Sequence, residues 1–123
     1  MADHNEFGKL AEEMAVKYLE DLKYKILARN YRFMKAEIDI IAEFENELVV
    51  VEVKARNSDA FIEPQEAINK KKMRLLISAA NDFSENYKHD LNTRFDVITI
   101  LPDEQNKLEI THIINAFLSI DGN

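Results

Sequence analysis

Four ionisable side chains interrupt the most apolar part of this sequence. Residues 36–56 read AEIDIIAEFENELVVVEVKAR, in which Ile38, Ile40, Ile41, Val49, Val50, Val51 and Val53 surround Glu37, Asp39, Glu52 and Lys54. Carboxylates and an ammonium gathered in this way can hold a cation, orient a water or neutralise a phosphate. Mg²⁺ is commonly held by one or two carboxylates together with waters and substrate phosphates. Four charges are also what the solvated face of an amphipathic hairpin carries, and the pattern by itself leaves both readings open.

What these groups can do depends on the strands that carry them. AEIDIIAEF and ELVVVEVKA have strand composition, and side chains alternate between the two faces of a strand. On strict alternation Ile38 and Ile40 share one face, with Glu37, Asp39 and Ile41 on the other. Val49, Val51 and Val53 likewise oppose Val50, Glu52 and Lys54. If Glu45-Asn46 is a two-residue hairpin loop, Phe44 pairs with Glu47, and the same register sets Asp39 opposite Glu52 and Glu37 opposite Lys54. Carboxylates directly across a ladder have Cβ atoms roughly 4.5–5.5 Å apart and repel. A partly buried sheet keeps such a pair when something positive lies between. Asn46 tolerates the positive φ of a primed turn, whereas Glu45 is not a favoured first residue. A slip of one residue would undo the opposition.

The rest of the chain supplies a scaffold. Phe7, Leu10, Ala11, Met14, Ala15, Tyr18 and Leu22 recur at helical spacing, which predicts an amphipathic helix over 5–23 that Asn5 can cap. YKILARNYRF, residues 24–33, reads as a strand. Residues 57–64 read as a loop, with Pro64 able to open a second helix over 65–87. That helix carries Ile68, Leu76, Ala79, Ala80, Phe83 and Tyr87 on one face. RFDVITIL (94–101) and LEITHII (108–114) are two further strands around a turn at 102–107. The order αβββαββ predicts an α/β domain, a mixed sheet flanked by helices.

The 123 residues amount to one ordinary domain, 1–123. With 46% hydrophobic and 32% charged residues, long disorder is not expected. There is no cysteine, hence no disulfide framework and no thiolate metal site. The N-terminus lacks the pattern of a signal peptide, and no apolar run approaches a membrane span; a cytoplasmic location is expected. Net charge is −7, which by itself argues against a general nucleic-acid binder. The positive charge is nevertheless local. KKKMR, residues 70–74, holds four basic groups, Lys54 and Arg56 add two, and Arg29, Arg32 and Lys35 three more. Such runs are either solvated helix faces or places that touch phosphate.

An acidic residue followed at about a dozen residues by E-V-K at the end of an apolar strand resembles the PD-(D/E)XK nuclease core, here Asp39 and then Glu52-Val53-Lys54. The blocks GKLAEEMAVKYL, ILARNYR, AEIDIIA, VVVEVKAR, EAINKKKMRLLISAA and RFDV stand in the order of the YraN-like family of bacterial proteins, relatives of Holliday-junction resolvases. The resemblance spans roughly residues 5–101. It implies a restriction-endonuclease-like fold, nucleic acid (DNA first) as ligand, Mg²⁺ or Mn²⁺ as cofactor, and a homodimer. Asp39 and Glu52 match the metal-binding carboxylates and Lys54 the core lysine. Glu12 matches an acidic residue that resolvase relatives carry on the first helix. Lys72 matches a basic residue of the second helix, and Glu37 a position of less certain role. Ala11 and Ala36 stand where the family usually has glycine, and Ile38 replaces the proline of "PD".

Two of these positions can be weighed on the chain itself. On a helical wheel Glu12 falls at the margin of the apolar face, in line with Gly8, Ala15 and Leu19, while Glu13 faces solvent. Lys72 falls in the middle of the stripe of Ile68, Leu76, Ala79 and Phe83. It either snorkels past the core or reaches a carboxylate or phosphate at the sheet end. Asp96 stands among apolar strand neighbours with its role open, and His4, His89 and His112 read as surface residues. Taken together these readings predict a metal-dependent endonuclease-like protein for branched or damaged DNA. Asp39 and Glu52 would hold the ion, helped by the Val53 carbonyl and Glu12, while Lys54 serves the attacking water. Lys70, Lys71, Lys72, Arg74 and Arg56 would grip phosphates. The alternatives are an inactive nucleic-acid-binding module of the same fold and a protein-interaction domain.

Overall fold

The computed structural model describes residues 4–56, 69–87 and 91–117. In chain order these form α1 (His4–Asp21), β1 (Lys25–Phe33), β2 (Ala36–Phe44), β3 (Glu47–Ala55), α2 (Lys70–Glu85), β4 (Asn92–Pro102) and β5 (Leu108–Phe117). The five strands lie in one sheet in sequence order, antiparallel throughout except for the parallel pair β3–β4. That parallel step needs a crossover, which α2 supplies. The expected order αβββαββ and the restriction-endonuclease-like arrangement are both present. No helix among the described residues is long and apolar enough to cross a membrane.

The two helices cover opposite faces. Ala11, Ala15, Val16 and Leu19 of α1 pack on Ile40, Ala42, Val49, Val51, Ile98 and Ile100. Leu76, Ala79 and Ala80 of α2 pack on Ile38, Ile41, Leu48, Val50, Phe95 and Val97. Strand β3 is thus buried on both sides, which is why LVVV reads as a continuous apolar run instead of alternating. Its four side chains are at most 2% exposed, and each such burial contributes about 1.5–3 kcal/mol.

Several boundaries differ from the periodicity. α2 starts at Lys70, because Asn69 is extended (φ −97, ψ 175) and its side chain caps the Lys72 N–H; a helix beginning at Gln65 is therefore not continuous through this point. β5 runs to Phe117, beyond the expected 114. The loop at 57–64 with Pro64, the apolar position Ile68, the Asn5 cap, and the side chains of His4 and His89 lie outside the described residues.

Candidate functional site

The β2–β3 hairpin closes through Glu45 (φ 49) and Asn46 (φ 65), a primed two-residue turn. The expected register follows: Phe44 pairs with Glu47, and the ladder continues through Ile40 and Val51. There it stops, so neither Asp39–Glu52 nor Glu37–Lys54 forms a ladder pair. Instead the Asp39 Oδ2 atom accepts the Val53 N–H at 2.8 Å. A side-chain carboxylate takes the place of a strand carbonyl, and β2 and β3 part beyond it.

The faces of β2 also differ from strict alternation. Ile38 and Ile41 belong to the α2-side core, whereas Ile40 belongs to the α1-side core, so Ile38 and Ile40 do not share a face. The break lies at Asp39. On the neighbouring strand, Arg29–Ile40 and Tyr31–Ile38 are partners while Asn30, at φ 52, and Asp39 between them are not. Two facing irregularities swing Asp39 out of the pleat toward the end of β3.

Asp39 and Glu52 meet there. Burial first, and then the Glu52 charge, push the Asp39 carboxyl up to about 7; the Val53 N–H works against this and the Glu12 charge with it. Glu52 is 5% exposed. Its Oε1 takes the Lys72 ammonium at 2.7 Å, while its Oε2 is buried without a hydrogen-bond donor. A proton on Asp39 is the way two such carboxyls tolerate each other when Lys72 serves only Glu52. Lys54 is pushed below its ordinary value by partial burial and by the neighbouring Lys72 ammonium. Lys72 is raised, because its bond to Glu52 outweighs the opposing cost of burial.

Two concavities open from this point. A groove of about 740 Å³ runs toward α1, lined by Phe7, Glu12, Asn30, Glu37, Asp39, Lys54 and Arg56 among others. A smaller cavity of about 370 Å³ faces the start of α2, lined by Glu37, Asp39, Glu52, Asn69, Lys71 and Lys72 among others. Glu12 reaches over the sheet as its wheel position predicts. It accepts from Asn30 Nδ2 at 3.1 Å and lies 3.6 Å from Arg29, which pairs more closely with Glu13 at 2.9 Å. Glu37 is exposed at the mouth of both concavities. Of the basic residues, Lys72 resolves in favour of the carboxylate. Arg56 is exposed on the groove, and Lys70, Lys71 and Arg74 are exposed on α2.

The donor set is all oxygen, which suits Mg²⁺ or Mn²⁺ better than Zn²⁺. An extended residue directs its N–H and C=O to the same side, so the Val53 carbonyl faces the same gap as the N–H that Asp39 binds. Among the described residues no three carboxylate or imidazole groups converge as a ready-made metal shell. Two carboxylates and a carbonyl leave the remaining positions to water or phosphate, the usual condition for Mg²⁺. The orphaned Glu52 oxygen and the raised Asp39 carboxyl are what a dication would relieve.

A second polar cluster lies on the α1 side, and the sequence reading of His112 as a surface residue is wrong. The His112 side chain is 5% exposed, its Nε2 is 2.7 Å from Asp96 Oδ2, and its Nδ1 is 3.2 Å from the Tyr18 hydroxyl. Arg94 donates to both oxygens of Asp96 and to the Tyr24 hydroxyl. Asp96 also accepts the Asn115 N–H at a bulge in β5, where Asn115 has φ 56. His112, Arg94 and that N–H hold the Asp96 carboxyl below its ordinary value despite burial. No polar side-chain atom of this cluster is buried without a partner, as expected of a structural network. The i, i+2 spacing of Arg94 and Asp96 on one strand face was its sequence signal.

The fold and the parted hairpin define an α/β domain of the restriction-endonuclease-like class. A model of the uncharacterised protein family UPF0102 matches residues 11–100. A UPF0102 protein of Flavobacterium johnsoniae is 45% identical over 95% of this chain and 98% of its own length. Those of Phocaeicola vulgatus and Porphyromonas gingivalis are 44% and 41% identical, covering 96% and 87% of their own lengths. The chain belongs to the UPF0102 family, which is the YraN family.

Proposed function

We propose that this chain is a divalent-metal-dependent, endonuclease-like protein that binds and cleaves branched or damaged DNA in the cytoplasm. The observation that carries the reading is the contrast between two buried polar clusters. The Asp96 network is complete within the chain, whereas Asp39 and Glu52 leave one buried oxygen unserved and one carboxyl displaced toward neutrality. Asp39, Glu52 and the Val53 carbonyl would hold Mg²⁺ or Mn²⁺, assisted by Glu12, which lines the same groove as Asp39. When bound, such an ion polarises a phosphodiester and lowers the pKa of water. Lys54 orients the attacking water or offsets the charge that develops in the transition state. Asn30 and Arg29 hold Glu12 over the groove. Arg56 on the groove and Lys70, Lys71 and Arg74 on α2 supply the phosphate contacts.

The test is cleavage of a fixed four-way junction with Mg²⁺ or Mn²⁺ by the unmodified chain, Asp39→Ala and Glu52→Ala. Cleavage by the unmodified chain and loss of at least a hundredfold in both variants is expected, the order of effect of a metal-held group in catalysis. Equal rates in all three would sink the assignment. A second reading, a binding module without cleavage, is favoured by the Lys72–Glu52 ion pair, which offsets the charge of one carboxylate without a metal. Metal-independent junction binding with no cleavage by any of the three would select it.

A further inference from the structure

We propose that Lys72 is a tethered place-holder for the divalent cation: its ammonium occupies the positive position beside Glu52 in the metal-free chain and yields it when cation and phosphate arrive together. The inference rests on the cation site proposed above and assigns it a built-in competitor.

Three observations converge on it. The ion pair is asymmetric: the Glu52 side chain is 7% exposed and the Lys72 side chain 34%. The carboxylate is therefore fixed, while the ammonium stands at the boundary on a four-carbon stem that can swing outward. The cavity of about 370 Å³ beside it is lined by both residues and gives that swing its room.

The pairing also leaves half of Glu52 unserved. Lys72 meets Oε1 and leaves Oε2 buried with no donor. A purely structural partner such as the Arg94 guanidinium serves both oxygens of its carboxylate. A single ammonium here is a partial substitute for something that binds more of the group.

Finally, Lys72 is placed against the preference of its own helix. Lys70, Lys71 and Lys72 fill the first turn of α2, which carries no acidic residue. Cations at a helix N-terminus are disfavoured by the macrodipole. The same positive end attracts phosphate. Because the Lys72 N–H is locked to Asn69 Oδ1 at 2.9 Å, displacement moves the side chain and leaves the backbone in place. A dication between Asp39 and Glu52 would repel the ammonium at short range, and a substrate phosphate gripped by the neighbouring Lys70 and Lys71 is where it would go.

Mn²⁺ is titrated calorimetrically, without DNA and in mildly alkaline buffer, into the unmodified chain, Lys72→Met, Lys72→Gln and Lys72→Arg. Both neutral variants should bind Mn²⁺ about tenfold more tightly, a shift of one decade in Kd, and Lys72→Arg should stay at the starting affinity. A short junction DNA should raise Mn²⁺ affinity in the unmodified chain, and by much less in the neutral variants, since coupling between two ligands is reciprocal. If Mn²⁺ binds the unmodified chain and the neutral variants bind no tighter, the place-holder role is overturned while the cation site stands. If no form binds Mn²⁺, both fall.

Discussion

At the scale of single residues, Asp39 does two jobs that conflict. As an acceptor for the Val53 N–H it closes the sheet at the point where the ladder ends, and as a carboxylate beside Glu52 it is held near neutrality. Its folded value, about 7, lies above the ordinary 3.8. The stability it contributes is therefore fully present below 3.8 and is lost as pH rises through about 7. Each unit of such a displacement corresponds to about 1.4 kcal/mol. Asp39→Asn keeps an acceptor for Val53 and removes the charge. The variant should match the unmodified chain in acid and exceed it in melting temperature above neutrality, by several degrees. A thermal scan across pH checks this, and parallel curves would refute the coupling. Millimolar Mn²⁺ should raise the melting temperature of the unmodified chain at alkaline pH and leave Asp39→Asn nearly unmoved.

At the scale of elements, the hairpin β2–β3 and the strand pair β4–β5 use the same device. In each, an aspartate accepts a neighbouring strand's N–H where the ladder is irregular: Asp39 from Val53, and Asp96 from Asn115. The outcomes differ because Asp96 has a guanidinium and an imidazole as hydrogen-bond partners inside the fold. Arg94→Met should leave a buried carboxylate with one partner fewer and cost about 3–5 kcal/mol in chemical denaturation. Since Asp96 is held low, its contribution is present above 3.8 and lost as pH falls, opposite in sign to that of Asp39. The turn of the hairpin carries Glu45 at φ 49, where a side chain of this kind is unfavourable. Replacing Glu45-Asn46 by Asn-Gly should stabilise the chain by roughly 0.5–1 kcal/mol, read as a raised denaturation midpoint with metal response unchanged.

At the scale of the whole molecule, net charge and local charge pull in different directions. A chain of net charge −7 repels nucleic acid at long range. The exposed Lys70, Lys71 and Arg74 on α2 and Arg56 at the groove would have to overcome this close to the site. Junction binding should therefore fall steeply with salt. Lys70→Ala with Lys71→Ala should reduce the slope of log K against log salt by about two, at roughly 0.9 per phosphate contact. An unchanged slope in a binding titration would remove these lysines from the interface.

The sequence by itself determined the order of elements, the two-residue hairpin turn, the family, and the residues that gather at the end of β3. Each of these follows from local information: apolar period, turn residues at one position, and a motif carried on adjacent strands. Glu12 at the edge of its helix face and Lys72 in the middle of an apolar stripe were visible for the same reason. Only the tertiary structure decided that the ladder ends at Ile40–Val51, that Ile38 and Ile40 face different cores, and that α2 begins at Lys70. It alone turned His112 inward to Asp96 and set Lys72 against Glu52. Those outcomes depend on what a neighbouring element presents. Asn30 across from Asp39 breaks the alternation, and a bulge at Asn115 turns β5 over Asp96. A carboxylate finds its partner through contacts between residues distant in sequence, which the alternation within one strand does not encode.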